Sequence, residues 1–275
     1  MNKEIEIKSL VDYLNLVKSL RVSEIGTDKP ISLFRGQRDI SWRLEPQISI
    51  LHKKQNFDNP VEIEKKLIRE FKRIALTYEK ESRFYNDWEI LSLARHHGLP
   101  TRLLDWTENP LTALWFVLKE ILEHDVSLMN SNSKDDILEF AIWYFKGNET
   151  HLIDPKEESP FNIGKTKILK PSFINKRILA QSSWFTSHVT DKNFRKYTPL
   201  EANSTYRPFV RKCIIKIKND YSLILRILDE LSICGISYLT LFPDYDGISK
   251  HLLFKILSNE SRDKKRAQIV ELLKS

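Results

Sequence analysis

The chain reads as a mixed α+β protein, with mainly antiparallel sheet flanked by helices. Three observations point there. Short apolar runs bounded by turn residues, such as Ile31–Phe34 and Ile137–Tyr144, have strand character. Longer stretches such as 61–80 repeat their apolar residues near a 3.6 period. The two kinds alternate without a regular strand–helix–strand rhythm, which argues against a parallel doubly wound sheet.

Taken in order, residues 3–20 place Ile5, Ile7, Leu10, Val11, Leu14, Val17 and Leu20 near helical spacing and predict an N-terminal helix within 1–25. A turn-rich stretch from Gly26 to Pro30 follows. Ile31–Phe34 then reads as a strand entering a tight turn at Arg35-Gly36. Ile63, Leu67, Phe71, Ile74 and Tyr78 define the buried face of a helix over 61–80. Residues 87–97 form another helix, stopped by Gly98 with Pro100 beyond it. Thr107 or Asn109 caps the next, Pro110 suits its first turn, and Leu111, Leu114, Trp115, Leu118 and Ile121 line its face. The strand 137–144 is apolar on both faces and therefore central. The polar stretch 145–176 reads as a long loop. Arg177–Ser187 turns and becomes a strand, and Cys213–Lys218 alternates apolar residues with lysines, leaving one face wet. A helix over 222–234 stops at Gly235. Tyr238–Phe242 reads as a short strand, and Pro243–Gly247 as a turn before a last helix. With no evident linker, the 275 residues form a single domain with a core over 30–260.

Composition excludes several classes. At 41% hydrophobic the chain buries a core, so general disorder is excluded. Two cysteines, Cys213 and Cys234, exclude a disulfide scaffold and a four-thiolate zinc site. No apolar run reaches membrane-spanning length, and the charged start MNKEIEIKSL is unlike a signal peptide. A cytoplasmic protein without membrane contact is expected. The net charge of +7 is compatible with a phosphorylated ligand or nucleic acid. The sequence has no dinucleotide glycine fingerprint, phosphate-loop or nucleophile-elbow motif, and no spacing that makes a metal site.

Chemistry concentrates in a few segments. In Phe34-Arg35-Gly36-Gln37, an arginine at a strand end beside open glycine backbone suits a planar fork on a diphosphate or carboxylate; the alternative is an internal ion pair. In His96-His97-Gly98-Leu99-Pro100-Thr101-Arg102-Leu103-Leu104-Asp105-Trp106-Thr107, hydrogen-bonding groups are dense, and Arg102 with Asp105 has the makings of a buried pair. Gln181, beside Trp184 and Phe185, suits a ribose hydroxyl or a base edge, or simply caps a strand. Asp244 and Asp246 lie in a turn.

Four segments together resemble the FRG-domain family: LFRGQRDISWRLEP (33–46), HHGLPTRLLDWTENPLTALWFV (96–117), RILAQSSWF (177–185) and GISYLTLFPDYDGI (235–248). Two positions depart from the family's habit. Arg95 stands where Gln often precedes the histidine pair, and Gln47-Ile48-Ser49 stands where Arg often follows the W-x-L-x-P element. The family's members look like accessory or effector proteins of bacteria and phages, including defence settings. A more distant resemblance is to the ADP-ribosyltransferase fold, and it implies such a core here. On it, Arg35 matches the first position, Asp105-Trp106-Thr107 followed by Ala113–Phe116 the second, and Gln181 the third. Asp replaces Tyr or Ser, and Gln replaces Glu.

That resemblance implies an NAD-dependent ADP-ribosyltransferase-like or NAD-glycohydrolase-like effector of toxin or antiviral-defence type. Its catalytic candidates are Arg35, Asp105, Thr107 and Gln181. Its dinucleotide-binding candidates are Arg35, Gly36, Gln37, His97, Arg102, Trp106 and Trp184. Asp105 or Asp246 would add the acid that Gln181 lacks. The acceptor would be a protein or nucleic acid, and a phage component or a neutralising protein are further candidate partners. The alternatives are a non-catalytic nucleic-acid-binding module, built on the basic-aromatic stretch Trp184–Arg211 with Lys192, Arg195, Lys196, Tyr197 and Arg207, or a phage-sensing interaction module.

Overall fold

The computed structural model describes residues 3–21, 30–75, 86–124, 137–172, 176–193 and 196–259. Seven strands form one sheet: β1 (Lys3–Glu6), β2 (Ile31–Gln37), β3 (Leu103–Thr107), β4 (Ile137–Gly147), β5 (Lys167–Leu169), β6 (Ser183–Ser187) and β7 (Val210–Lys218). Their order is β1-β7-β4-β2-β3-β6-β5. β1 pairs with β7 in parallel, and every other neighbouring pair is antiparallel. The helices are α1 (Leu10–Arg21), α2 (Gln47–Gln55), α3 (Pro60–Ala75), α4 (Asp87–His96), α5 (Pro110–His124), α6 (Lys176–Ala180), α7 (Tyr221–Ile233), α8 (Tyr238–Leu241) and α9 (Tyr245–Asn259). The mixed, mainly antiparallel α+β class is therefore the observed one.

Strand alternation divides the core. Phe34, Phe140, Ile142, Tyr144, Ile215 and Ile217 meet α1, α5 and α7 on one face of the sheet's first half. The opposite-facing residues Leu33, Trp143, Phe145, Leu104, Trp106 and Trp184 pack under Leu44, Leu200 and Tyr206 from connecting segments. Leu103 and Phe185, at the other end of the sheet, meet Ile68 of α3 and Trp88 and Leu91 of α4. Gly36 is what lets α5 lie close on β2. A Cβ there would sit 2.1 Å from Val117 Cγ2 and 2.4 Å from the Ala113 carbonyl oxygen.

Several expectations change. The first residues are not helical: β1 takes the open edge of β7, and the helix starts only at Leu10. Its buried face is Leu10, Tyr13, Leu16, Val17 and Leu20, with Val11 and Leu14 turned to solvent. The tight turn at Arg35-Gly36 is absent, because β4 pairs with β2 as far as Gln37. The face of α3 is rotated to Val61, Glu64 and Ile68, with Ile74 exposed, because Glu64 is drawn inward by an arginine described below. Tyr78 and the turn at 26–29 lie outside the described residues. The stretch 145–176 contains the end of β4, a 3₁₀ turn (Glu149–His151) and β5. Tyr238–Leu241 is a short helix rather than a strand, with Tyr238 buried against Trp115 and its hydroxyl donating to Glu123 at 2.9 Å.

The remaining elements follow their local chemistry. Asn86 and Glu89 form a reciprocal capping box on α4, and Gly98 (φ +85°) ends it in the left-handed region. Asn109 Oδ1 caps α5 by accepting from Leu111 N at 3.0 Å. Gly235 (φ +80°) ends α7 as expected.

Candidate active-site cleft

β2 and β3 share a single registered pair, Phe34 with Thr107. Next to this contact lies a cleft of about 660 Å³. Its wall is drawn from β2 (Arg35, Gly36), α2 (Gln47), α4 (Arg95, His96), β3 (Asp105, Thr107), α5 (Phe116, Lys119, Glu120) and the later segments that carry Arg177, Gln181, Ser183 and Phe242. Residues drawn from about three quarters of the chain, Arg35 to Phe242, thus meet in a volume ordinary for a small-molecule site, roughly 300–1,000 Å³. Arg35, Asp105, Thr107 and Gln181 all line it.

Asp105 organises the charge. Arg95 grips its carboxylate with Nε at 3.2 and 3.0 Å from the two oxygens, and with Nη2 on Oδ2. Arg35 Nη1 lies 3.7 Å from Oδ2 and donates to the Asp105 carbonyl oxygen at 2.8 Å. Burial pushes the Asp105 carboxyl up, but the charge and hydrogen bonds of Arg95, aided by Arg35, outweigh it and leave the carboxyl below its usual range. Asp105 in turn raises Arg95 against burial. Burial lowers Arg35, with Asp105 opposing and Arg95 reinforcing. Arg35 Nε is buried and has no hydrogen-bond acceptor. Arg95 Nη1 donates to Gln47 Oε1, so α4 and α2 touch at the rim of the cleft.

Thr107 ties the strands together. Its hydroxyl donates to the Gln181 carbonyl at 2.7 Å and accepts from Asn109 N at 3.0 Å. Ser182, at φ +48°, makes the reversal that delivers Gln181 to the cleft from the end of α6. Gln181 Nε2 donates to the Leu241 carbonyl at 3.1 Å. Arg177 is bound to Asp244, lies 3.7 Å from Asp246 and stacks on Phe242.

Other sequence candidates point elsewhere. Gln37 is buried on the far face, accepting from Trp143 Nε1 at 2.7 Å. His97 is an exposed helix cap and does not line the cleft. Arg102 pairs with Glu64 rather than Asp105, and both are buried. Trp106 contributes to the cleft wall, but its indole belongs to the opposite core and donates to Thr186 Oγ1 at 3.0 Å. Trp184 sits in the same core, under Lys170. For the two tryptophans the reason is strand alternation, which sends the residues next to Asp105 and Ser183 to the other face. Asp246 is exposed, lies 3.7 Å from Arg177 and does not line the cleft. In the basic-aromatic stretch, Trp184 and Tyr197 are core residues, so their rings are not open to bases; Arg195 lies outside the described residues.

Among the cleft groups that the sequence did not single out are Glu120 and His96. Glu120, one helical turn beyond Phe116, makes no hydrogen bond or ion pair with the described residues. Burial raises its carboxyl above the usual range, against the pull of Arg35, Lys119 and Arg38. His96 is held down to about 4 by burial, with His97 and Arg177 reinforcing, so it is neutral near pH 7. The i,i+4 spacing from Phe116 to Glu120 was the available signal for the first. Nothing in the sequence distinguished His96 from His97.

The architecture defines a mixed-sheet protein with a polar, arginine-rich cleft where two strands part. Residues 31–126, from β2 through α5, match the model of the family described as FRG domain. The matched span supplies Arg35, Gln47, Arg95, Asp105, Thr107 and Glu120, while Arg177, Gln181 and Phe242 reach the cleft from outside it. No curated protein and no solved structure matches the chain. No described helix is long and apolar enough to cross a membrane.

Proposed function

We propose that this cleft binds a dinucleotide of the NAD type and breaks its nicotinamide–ribose bond, as an ADP-ribosyltransferase-like or NAD-glycohydrolase-like effector of the toxin or anti-phage defence class. The observation that carries the reading is the convergence of Arg35, Asp105, Thr107 and Gln181, from three separate segments, on one cavity of about 660 Å³. Arg35 supports it further: its part-buried guanidinium lines the cleft as a planar fork suited to phosphate oxygens. Phe116 and Phe242 offer apolar surface for a flat ring.

In this reading Glu120 is the carboxylate that Gln181 cannot be. Heterolysis of the C–N bond leaves its electron pair on the nicotinamide nitrogen and positive charge on the ribose, which an anionic Glu120 stabilises. Water or an acceptor hydroxyl then forms the new bond to the ribose carbon, and its proton goes to Glu120. Asp105, held by Arg95, positions Arg35. Thr107 holds the Gln181 backbone in place.

The test is incubation of the purified full chain with NAD labelled separately in the nicotinamide and adenine halves. Release of nicotinamide is expected, reduced about 10²- to 10⁴-fold in Glu120→Gln, the range of a lost general base. Because burial raises the Glu120 carboxyl, activity should rise with pH through a value above that of an ordinary glutamate. Neither binding nor cleavage of NAD by the wild-type chain, alone or with a cell lysate as acceptor source, would overturn the proposal.

A further inference from the structure

The loop after β2 carries a feature that the cleavage chemistry leaves unused. Trp88, Trp106, Trp115, Trp143 and Trp184 are all 5% exposed or less, whereas Trp42 is 42% exposed. The loop that presents Trp42 is firmly held. Asp39 Oδ1 accepts from Ser41 N at 2.7 Å and from Ser41 Oγ at 2.6 Å. Gln37 Nε2 donates to the Arg43 carbonyl at 3.3 Å, Arg43 Nε pairs with Glu201 at 2.9 Å, and Lys212 Nζ donates to the Ile40 carbonyl. A ring kept in water by an ordered loop has already lost the freedom that binding would otherwise remove.

Arg38 completes the feature. Its guanidinium carbon lies 5.2 Å from the Trp42 ring centroid, and it makes no ion pair or hydrogen bond with the described residues. Arg38 directly follows β2, two residues after the cleft-lining Gly36, so this loop leaves the sheet beside the cleft. A half-exposed indole under a planar cation that is held in no ion pair, though Asp39 lies next to it in the chain, complements a flat ring attached to a phosphate. An acidic peptide would answer the cation but not the ring. The excess of positive charge on the chain, +7, favours a polyanion.

We infer that Arg38 and Trp42 form a stacking platform for a base of single-stranded nucleic acid, and that this strand is the acceptor offered to the cleft. The acceptor half rests on the NAD reading above; the binding half does not. The experiment uses the full chain without NAD and a fluorescein-labelled oligothymidylate or oligouridylate of about twelve nucleotides, within the usual site size. Anisotropy at low salt should report saturable binding. Trp42→Leu should weaken it about 5- to 150-fold, the worth of one stacked base, while Trp42→Phe keeps most of the affinity. Arg38→Gln should weaken binding and make it less steep in salt. With adenine-labelled NAD added, label should enter the oligonucleotide. Absence of binding at low salt, wild-type affinity in Trp42→Leu, or displacement by polyglutamate as effective as by unlabelled oligonucleotide would overturn the platform. Label entering protein but not oligonucleotide would overturn the acceptor assignment alone. Oligonucleotide binding without any NAD cleavage would overturn the NAD reading and leave the platform standing.

Discussion

Replacing Arg102 by leucine tests whether this arginine is a strut or a working group. Glu64 is fully buried and the Arg102 side chain is 4% exposed. Glu64 Oε2 accepts from Arg102 Nε at 2.8 Å, with Nη2 also 2.8 Å away, and Oε1 accepts from Arg102 N at 2.6 Å. Nη1 donates to the Pro160 carbonyl at 2.7 Å, and the guanidinium stacks on Phe161 at 4.6 Å. Arg102→Leu leaves a carboxylate in dry core with one backbone donor. Breaking a buried pair in this way costs about 3–5 kcal/mol. With an m-value near 3 kcal/mol/M, the urea midpoint should fall by about 1–2 M. The double variant Arg102→Leu, Glu64→Leu removes the stranded charge and should regain much of the loss. Urea unfolding followed by circular dichroism measures all three. A loss under about 1 kcal/mol in the single variant would refute the strut. So would unchanged stability combined with abolished NAD turnover, which would return Arg102 to the cleft.

Three further outcomes are expected. Gly36→Ala should destabilise by at least about 1–3 kcal/mol, because its methyl meets the backbone oxygen of Ala113 at 2.4 Å; a neutral midpoint shift in thermal unfolding would contradict the close packing of α5. His188 is buried and pushed down to about 4, chiefly by burial, so the unfolded chain takes up its proton first as pH falls. Its stability contribution of roughly 3 kcal/mol is intact above its ordinary value of 6.5 and is lost progressively down to about pH 4; His188→Gln should flatten the acid limb of a stability–pH curve over that window. Arg95→Gln and Gln47→Arg should each reduce NAD binding and stability, while the double exchange restores them. A coupling of about 0.5–3 kcal/mol in the double-mutant cycle is expected, and strict additivity would deny the contact.

Local chemistry made much of this fold readable. The ends of α4 and α7 were marked by glycines in the left-handed region, the start of α5 by Asn109-Pro110, and the central place of β4 by apolar residues on both faces. What escaped was set by partners far along the chain. β1 exists because β7 offers an open edge, and the period of residues 3–20 carries no trace of that. The rotated face of α3 depends on Arg102, thirty-eight residues away. In the cleft, the segments rich in hydrogen-bonding groups were the right ones, but side-chain direction was not. Asp105 and Thr107 face the cleft, while the Trp106 ring between them faces the other core, an alternation that follows only once 103–107 is known to be a strand.

The Arg95–Gln47 contact shows how a departure from a sequence habit becomes physical information. Taken singly, each position looks like local drift: a cation gained before the histidine pair, a cation missing after the W-x-L-x-P element. The structure puts the two side chains in hydrogen-bond contact, with Arg95 also holding Asp105. One cation, from α4, and one amide, from α2, therefore meet at this edge of the cleft. Without that cation the part-exposed Asp105 carboxylate would keep a single charged partner, Arg35, 3.7 Å away. In this chain the charge comes from α4, and the Asp105 it grips also accepts from Arg35 Nη1 at its backbone carbonyl, so the three groups lock one another at the cleft edge.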